Sequence, residues 1–155
     1  MLPKKDLLIL ANLRNNARES LTTMSKKTSI PVSTIYDKIR LHQKGLIKKH
    51  TTLIDFGQLG FHTRANILIK MEREEREKAK DFLVKHHHVN SVYKISSGFD
   101  YLVEAIFKNV KDVEDFMDVL QDRFKILQTQ IYYVVEDLKN EAFMDTQELL
   151  DVIIS

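Results

Sequence analysis

The sequence contains no cysteine. Disulfides, thiolate metal sites and a thiol nucleophile are therefore excluded, while the redox compartment stays open. No stretch approaches the roughly 18 consecutive apolar residues of a membrane-spanning helix, and the N-terminus lacks the apolar block of a secretory signal. A cytoplasmic chain without a membrane partner is expected. A glycine-rich phosphate loop is missing too, as is any arrangement that reads as a nucleophile with its base, so neither an enzyme nor a cofactor is expected.

What is present is ordinary for a soluble globular chain: 43% hydrophobic and 30% charged content over 155 residues, enough for one domain or two small ones. The charge is unevenly placed. Residues 1–60 hold 11 Lys+Arg against 4 Asp+Glu, a balance of +7, whereas residues 61–155 hold 13 against 18, a balance of −5. A basic front and an acidic back suggest a polyanion-binding domain joined to a domain with another task.

In the front, Pro3 opens a helix to about Asn15 with Leu7, Leu10 and Leu13 on one face and Ile9 nearby. Ser20 is suited to cap a second helix carrying Leu21, Met24 and Thr28 at helical spacing. Ser29-Ile30-Pro31 interrupts it, because proline disfavours a helical residue before it but is tolerated where a new helix begins. The next helix runs from about Val32 to Gln43, with Ile35, Ile39 and either His42 or Leu41 inward and a largely polar outer side. Gly45 suits a left-handed helix end. Leu46–Ile54 then has the β-branched, alternating character of an extended strand or wing, in which Lys48, Lys49 and His50 either follow phosphates or protect a solvated edge. Two helices and a tight turn make a helix-turn-helix, or a helical hairpin that only packs.

From residue 61 the pattern is mixed. Strand candidates at Ala65–Met71, Val89–Ile95, Tyr101–Phe107 and Gln128–Val135 alternate with helices at Glu74–His86 and Val110–Phe124, two β-α-β units offset by roughly 37 residues. That order predicts a ferredoxin-like βαββαβ sheet with both helices on one face. Apolar residues on both sides of the strands, as in Ile67-Leu68-Ile69 and Ile131–Val135, imply that a second subunit covers the other face in a symmetric dimer. The apolar tail, 138–155, caps the domain or grips a neighbouring subunit. Three consecutive histidines, His86-His87-His88, cannot all face one centre, and no cysteine or carboxylate pattern completes a metal set. A helix-end loop of solvated imidazoles is expected there, with no metal.

With these pieces in order, residues 3–136 resemble the Lrp/AsnC family of transcription factors. The likeness rests on IPVSTIYDKIR, on KGLIKKHTTLIDFGQLGF and on ISSGFDYLVEAIF. It implies an α+β chain: a winged helix-turn-helix DNA-binding domain at 1–52, a connector at 53–60, and a ferredoxin-like, RAM-type dimerisation and effector domain at 61–137. The implied partners are double-stranded DNA and a second copy of the chain, with higher oligomers such as octamers in the family. The implied effector is an amino acid. The recognition helix falls on Val32–Gln43, so Ser33, Thr34, Tyr36, Asp37, Lys38 and Arg40 are the DNA-contact candidates, joined by Lys48 and Lys49 of the wing. Ser33 and Thr34 stand where free helix N–H groups meet phosphates, Lys38 and Arg40 carry charge outward, and Arg40 suits a guanine edge. Asp37 replaces a commonly basic residue and is read either as repelling phosphate or as accepting from a cytosine amino group. The family's effector turn, G-x-[YF]-D, is here Ser97-Gly98-Phe99-Asp100, with serine at the glycine position. Ser96, Ser97, Gly98, Phe99, Asp100 and Tyr101 are its candidates; the other reading is a tight turn whose Asp100 serves the backbone. A regulatory subunit that senses a small molecule and acts through protein partners without DNA is the alternative function.

Overall fold

The computed structural model describes residues 1–155, which form two compact units: Met1–Leu53 together with Leu138–Ser155, and Ile54–Asp137. No helix is long and apolar enough to cross a membrane.

The first unit is helical. Helix α1 spans Lys4–Asn15, α2 Leu21–Thr28 and α3 Val32–His42. The Ser20 Oγ caps α2 by accepting from the Thr23 N–H at 3.1 Å. The breaker between α2 and α3 is built by Ser29, whose left-handed φ of 58° ends α2, and by Pro31, whose fixed φ of −58° leads into α3. Ile30 between them is buried, and its carbonyl accepts from the Ser25 hydroxyl at 2.6 Å. Ile9, Met24, Ile30 and Ile35 form the core, with Leu13, Leu21 and Ile39 packed against it. The inner stripe of α3 takes His42, which is buried, while Leu41 faces solvent.

Two expectations for this unit are corrected. Gly45 is not a left-handed helix end: its φ is not positive, and Gln43 closes α3 in right-handed geometry. Leu46–Ile54 is not a strand, since a strand needs a ladder partner and every ladder in the molecule lies among the strands from residue 63 onward. The segment leaves α3 through a turn held by the Ile47 N–H donating to the His42 carbonyl at 2.8 Å.

The tail belongs to this same unit. It forms a short helix over Gln147–Ile154, here α6 in chain order, whose Leu150 is fully buried beside Leu7 and Ala11 of α1. Lys4 pairs with Asp151 at 3.2 Å, and the Arg14 guanidinium donates to the Phe143 and Glu141 carbonyls at 2.6 and 3.0 Å. The tail thus packs on the N-terminal helices of its own chain and not on the sheet domain that precedes it in sequence. The Thr146 Oγ1 accepts from the Leu149 N–H at 3.2 Å and caps the helix. Thr146→Ala should lower stability by about 1 kcal/mol in chemical unfolding, as loss of a helix cap does.

The second unit is a four-stranded antiparallel sheet in the order β2-β3-β1-β4, with β1 at Thr63–Met71, β2 at Val89–Lys94, β3 at Tyr101–Phe107 and β4 at Ile126–Tyr133. Helix α4 spans Arg76–Lys85, after a short 3-10 turn, and α5 spans Val110–Arg123, so α4 starts two residues later than the spacing predicts. Strict alternation places Ala65, Ile67, Ile69 and Met71 of β1 and Tyr101, Val103, Ala105 and Phe107 of β3 on one face. Ala79 and Leu83 of α4 and Val113, Phe116, Met117 and Leu120 of α5 pack onto it, so both helices cover the same face. The other face carries Leu68, Leu102 and Ile106 with Tyr93 and Tyr132, interleaved with Asn66, Glu104 and Gln130.

Candidate nucleic-acid interface and effector turn

Helix α3 begins without a side-chain cap: Pro31 precedes it, and the first closing bond is the Ile35 N–H donating to the Pro31 carbonyl at 3.0 Å. The N–H groups of Val32, Ser33 and Thr34 thus have no acceptor within the helix, and they meet the positive end of its dipole. Of the sequence candidates, Ser33, Tyr36, Asp37 and Arg40 face solvent and Thr34 is half-buried. Asp37, Arg40, Leu41 and Lys44 line one shallow surface depression. Lys48 and Lys49 are exposed on the segment that follows.

Lys38 departs from its expected outward placement. Its ammonium lies 3.3 Å from Oδ1 of Asp6 on α1, and its side chain is only 34% exposed. The same carboxylate, 2% exposed, receives the His42 Nε2 at 2.8 Å on its Oδ2. Lys38 and His42 are four residues apart on α3 and so share the helix face turned to α1. Oδ1 has no hydrogen-bond partner, which leaves the Lys38 charge to offset it. Burial pushes the Asp6 carboxyl up, but the His42 hydrogen bond and the charges of Lys38 and His42 outweigh it and hold the group below its ordinary value. Turning Lys38 away leaves the buried Oδ1 without its countercharge, a cost that the weak return of a surface charge contact does not offset. Composition and spacing had no means of showing this network. Its trace in the sequence is a histidine on an otherwise apolar stripe, which calls for a buried partner.

The β2–β3 turn is built around Asp100. Its Oδ2 accepts from the Met71 N–H at 2.9 Å, its Oδ1 lies 3.1 Å from the Arg76 Nε, and its own N–H donates to the Ile69 carbonyl at 2.8 Å. Asp100 therefore fastens the turn to the end of β1 and the start of α4, which is the backbone-serving role, exerted across the sheet rather than locally. The Tyr101 ring is buried and its hydroxyl donates to the Arg76 carbonyl at 3.1 Å. Burial, together with Glu77, pushes that phenol up. Ser96, Ser97 and Gly98 are exposed and Phe99 is half-buried. Ser97 has a left-handed φ of 69° and Gly98 a φ of 100°. Serine thus stands where the resemblance expects glycine and bears the strain of that conformation. Ser97→Gly should raise stability by about 1 kcal/mol in urea unfolding.

The histidine run behaves differently from a loop of solvated imidazoles. His87 is exposed, but His86 and His88 are half-buried: His88 stacks on Phe107 at 4.7 Å and His86 meets the Phe116 edge at 4.8 Å. The His88 Nδ1 donates to the Ile106 carbonyl at 2.7 Å, and the His86 Nδ1 accepts from the His88 N–H at 3.2 Å. Burial, with the neighbouring His87 and His88, pushes the His86 imidazolium down. An open cavity of about 530 Å³ lies over these rings and is bordered by Phe61, Asp112 and Val119. No group of three or more metal-ligating side chains converges there or elsewhere.

A βαββαβ sheet with both helices on one face defines the ferredoxin-like class for residues 63–133. Residues 64–143 match the Lrp/AsnC ligand binding domain model. The HTH-type transcriptional regulator FL11 of Pyrococcus horikoshii is 32% identical over 116 residues, 74% of this chain and 77% of that protein. An uncharacterised HTH-type transcriptional regulator of Pyrococcus abyssi is 26% identical over 142 residues, 91% of this chain and 97% of that protein. Among solved structures, a transcriptional regulator of Neisseria meningitidis in complex with L-Met superposes with a TM-score of 0.83 at 21% identity, covering 90% of this chain and 94% of that one. The LrpC structure of B. subtilis gives 0.80 at 19% identity, covering 90% and 98%. The chain belongs to the Lrp/AsnC family of transcriptional regulators.

Proposed function

We propose that the chain binds specific double-stranded DNA through its helical unit, as a winged helix-turn-helix with α3 as the recognition helix, and responds to an amino acid through its sheet unit. The observation that carries this reading is the outer side of α3: Ser33, Tyr36, Asp37 and Arg40 face solvent over the buried stripe of Ile35 and His42. In this reading Arg40 meets a base edge or phosphate, and the uncapped N–H groups with Ser33 and Thr34 bind the backbone. Lys48 and Lys49 occupy the place of the wing on a segment without ladder bonds, where they follow phosphates. The sheet face with Leu68, Leu102, Ile106, Tyr93 and Tyr132 packs against a second copy, giving a symmetric dimer whose two recognition helices engage successive turns of the duplex. Higher assemblies, up to octamers, are built from such dimers.

The amino-acid effector is supported by the ligand-binding domain match and by the L-Met complex of the Neisseria meningitidis regulator. Asp100 is engaged by Met71 and Arg76, so contact to a ligand at the β2–β3 turn falls to the backbone and hydroxyls of Ser96, Ser97 and Gly98, with Phe99 beside them.

Gel-shift titrations with upstream fragments, the protein's own promoter included, test the DNA reading. Salt-sensitive, fragment-selective retardation is expected. Absence of retardation for every fragment, with tight amino-acid binding in calorimetry, would replace it by the subunit that acts on protein partners.

A further inference from the structure

We propose that Asp6 is a positioning residue for DNA binding, holding Lys38 of α3 off the DNA phosphates, so that this lysine contributes to the packing of the recognition helix and not to the salt-dependent contact. The inference rests on the reading that α3 meets DNA. Its ground is the arrangement of charges between α1 and α3. Asp6 is buried on α1, its Oδ2 is taken by His42, and its Oδ1 has no hydrogen-bond partner and faces only the Lys38 ammonium, 3.3 Å away. If Lys38 turned outward to a phosphate, Oδ1 would keep a buried charge with no compensation. Arg40, two positions on, is exposed in the depression it shares with Asp37 and Lys44, and unlike Lys38 it forms no salt bridge to a buried carboxylate. The two cations in the middle of the recognition helix therefore have different work: Arg40 is free for DNA, and Lys38 is retained by α1.

The consequence is measurable because each cation on a phosphate steepens the dependence of log K on log salt by about 0.9. Removing a phosphate contact flattens that slope by roughly one unit, and adding one steepens it by as much. The experiment measures the slope by fluorescence anisotropy on one retarded promoter fragment, for the full chain and for Arg40→Ala, Lys38→Ala, Asp6→Asn and the double variant Asp6→Asn with Lys38→Ala. Unfolding curves confirm that each variant is folded at the assay temperature. Asparagine is chosen for position 6 because its carbonyl still accepts from His42 while the charge that retains Lys38 is gone. Arg40→Ala should flatten the slope by about 0.9, and Lys38→Ala should leave it unchanged. Asp6→Asn should steepen it by about 0.9 and tighten binding at low salt by several-fold, a gain the double variant loses. A folded Lys38→Ala whose slope flattens like that of Arg40→Ala overturns the proposal. So does a folded Asp6→Asn whose slope does not steepen. If the unmodified chain retards no fragment, the DNA reading itself fails and the inference with it, a result distinguishable from both of the others.

Discussion

Asp6→Ala lowers the stability of the helical unit by about 2 kcal/mol, within the range for leaving a buried donor without its acceptor. The substitution leaves the buried His42 Nε2 without its 2.8 Å acceptor and releases the Lys38 ammonium to solvent. Hydrophobic packing of Ile9, Met24, Ile30 and Ile35 remains, so the unit is weakened and not abolished. The pH dependence gives the same network a second signature. The folded-state pKa of Asp6 is depressed from its ordinary 3.8, since the His42 and Lys38 contacts outweigh burial. For a depressed carboxylate the stabilisation is present in full above the unfolded pKa and is lost as pH falls through the folded one. Stability therefore declines from about pH 4 downward, and Asp6→Asn, which cannot titrate, shows a shallower acid limb. Urea unfolding at neutral pH and along an acid series measures both effects. An Asp6→Ala curve that overlays the unmodified protein's would show that the pair contributes nothing.

Asp100→Ala carries the second large effect, a loss of about 2 kcal/mol in the sheet unit, because the substitution removes an acceptor from a half-buried N–H and a partner from an arginine. The Met71 N–H loses its 2.9 Å acceptor at the end of β1, and Arg76 loses its anchor at the start of α4. The amino-acid binding proposed for the Ser96–Gly98 backbone, measured by calorimetry, is expected to fall with it, because that backbone is no longer held. Asp100→Asn separates the two roles: it keeps an acceptor for Met71 and should recover most of the stability. Ligand binding that returns with stability in the asparagine variant places Asp100 as a support for the turn. Binding that stays absent in a stable Asp100→Asn would instead put its charge in contact with the ligand.

These two carboxylates mark where sequence reading stops. Strand and helix placement in the sheet unit follows from short-range periodicity. The period-two alternation of Ala65, Ile67 and Ile69 against Arg64, Asn66 and Leu68, and the helical stripe Val113, Phe116, Met117 and Leu120, state their buried faces directly. The same logic finds the break at Ser29-Ile30-Pro31, because proline chemistry is local. Asp6 and Asp100 are different, since their meaning depends on partners that only the fold brings near: His42 lies 36 positions from Asp6, and Met71 lies 29 from Asp100. An acidic residue in a first helical turn, or just after a turn, reads equally well as solvated. The orientation of Lys38 is set in the same way, since its partner Asp6 lies on α1, 32 positions away in the chain. The tail's apolar run announced burial but not the face it would cover, which Leu150 against Leu7 and Ala11 supplies. Leu46–Ile54 shows the converse error: β propensity is present, but strand structure requires a partner strand.

The measurement that bears most directly on the account is a binding profile over randomised duplex DNA, selected with the full chain with and without each amino acid. The account predicts enrichment of near-palindromic sequences whose half-sites lie about one helical turn or a multiple of it apart, with at least one amino acid changing the enrichment. A selected pool indistinguishable from the input at every salt and with every amino acid would contradict it.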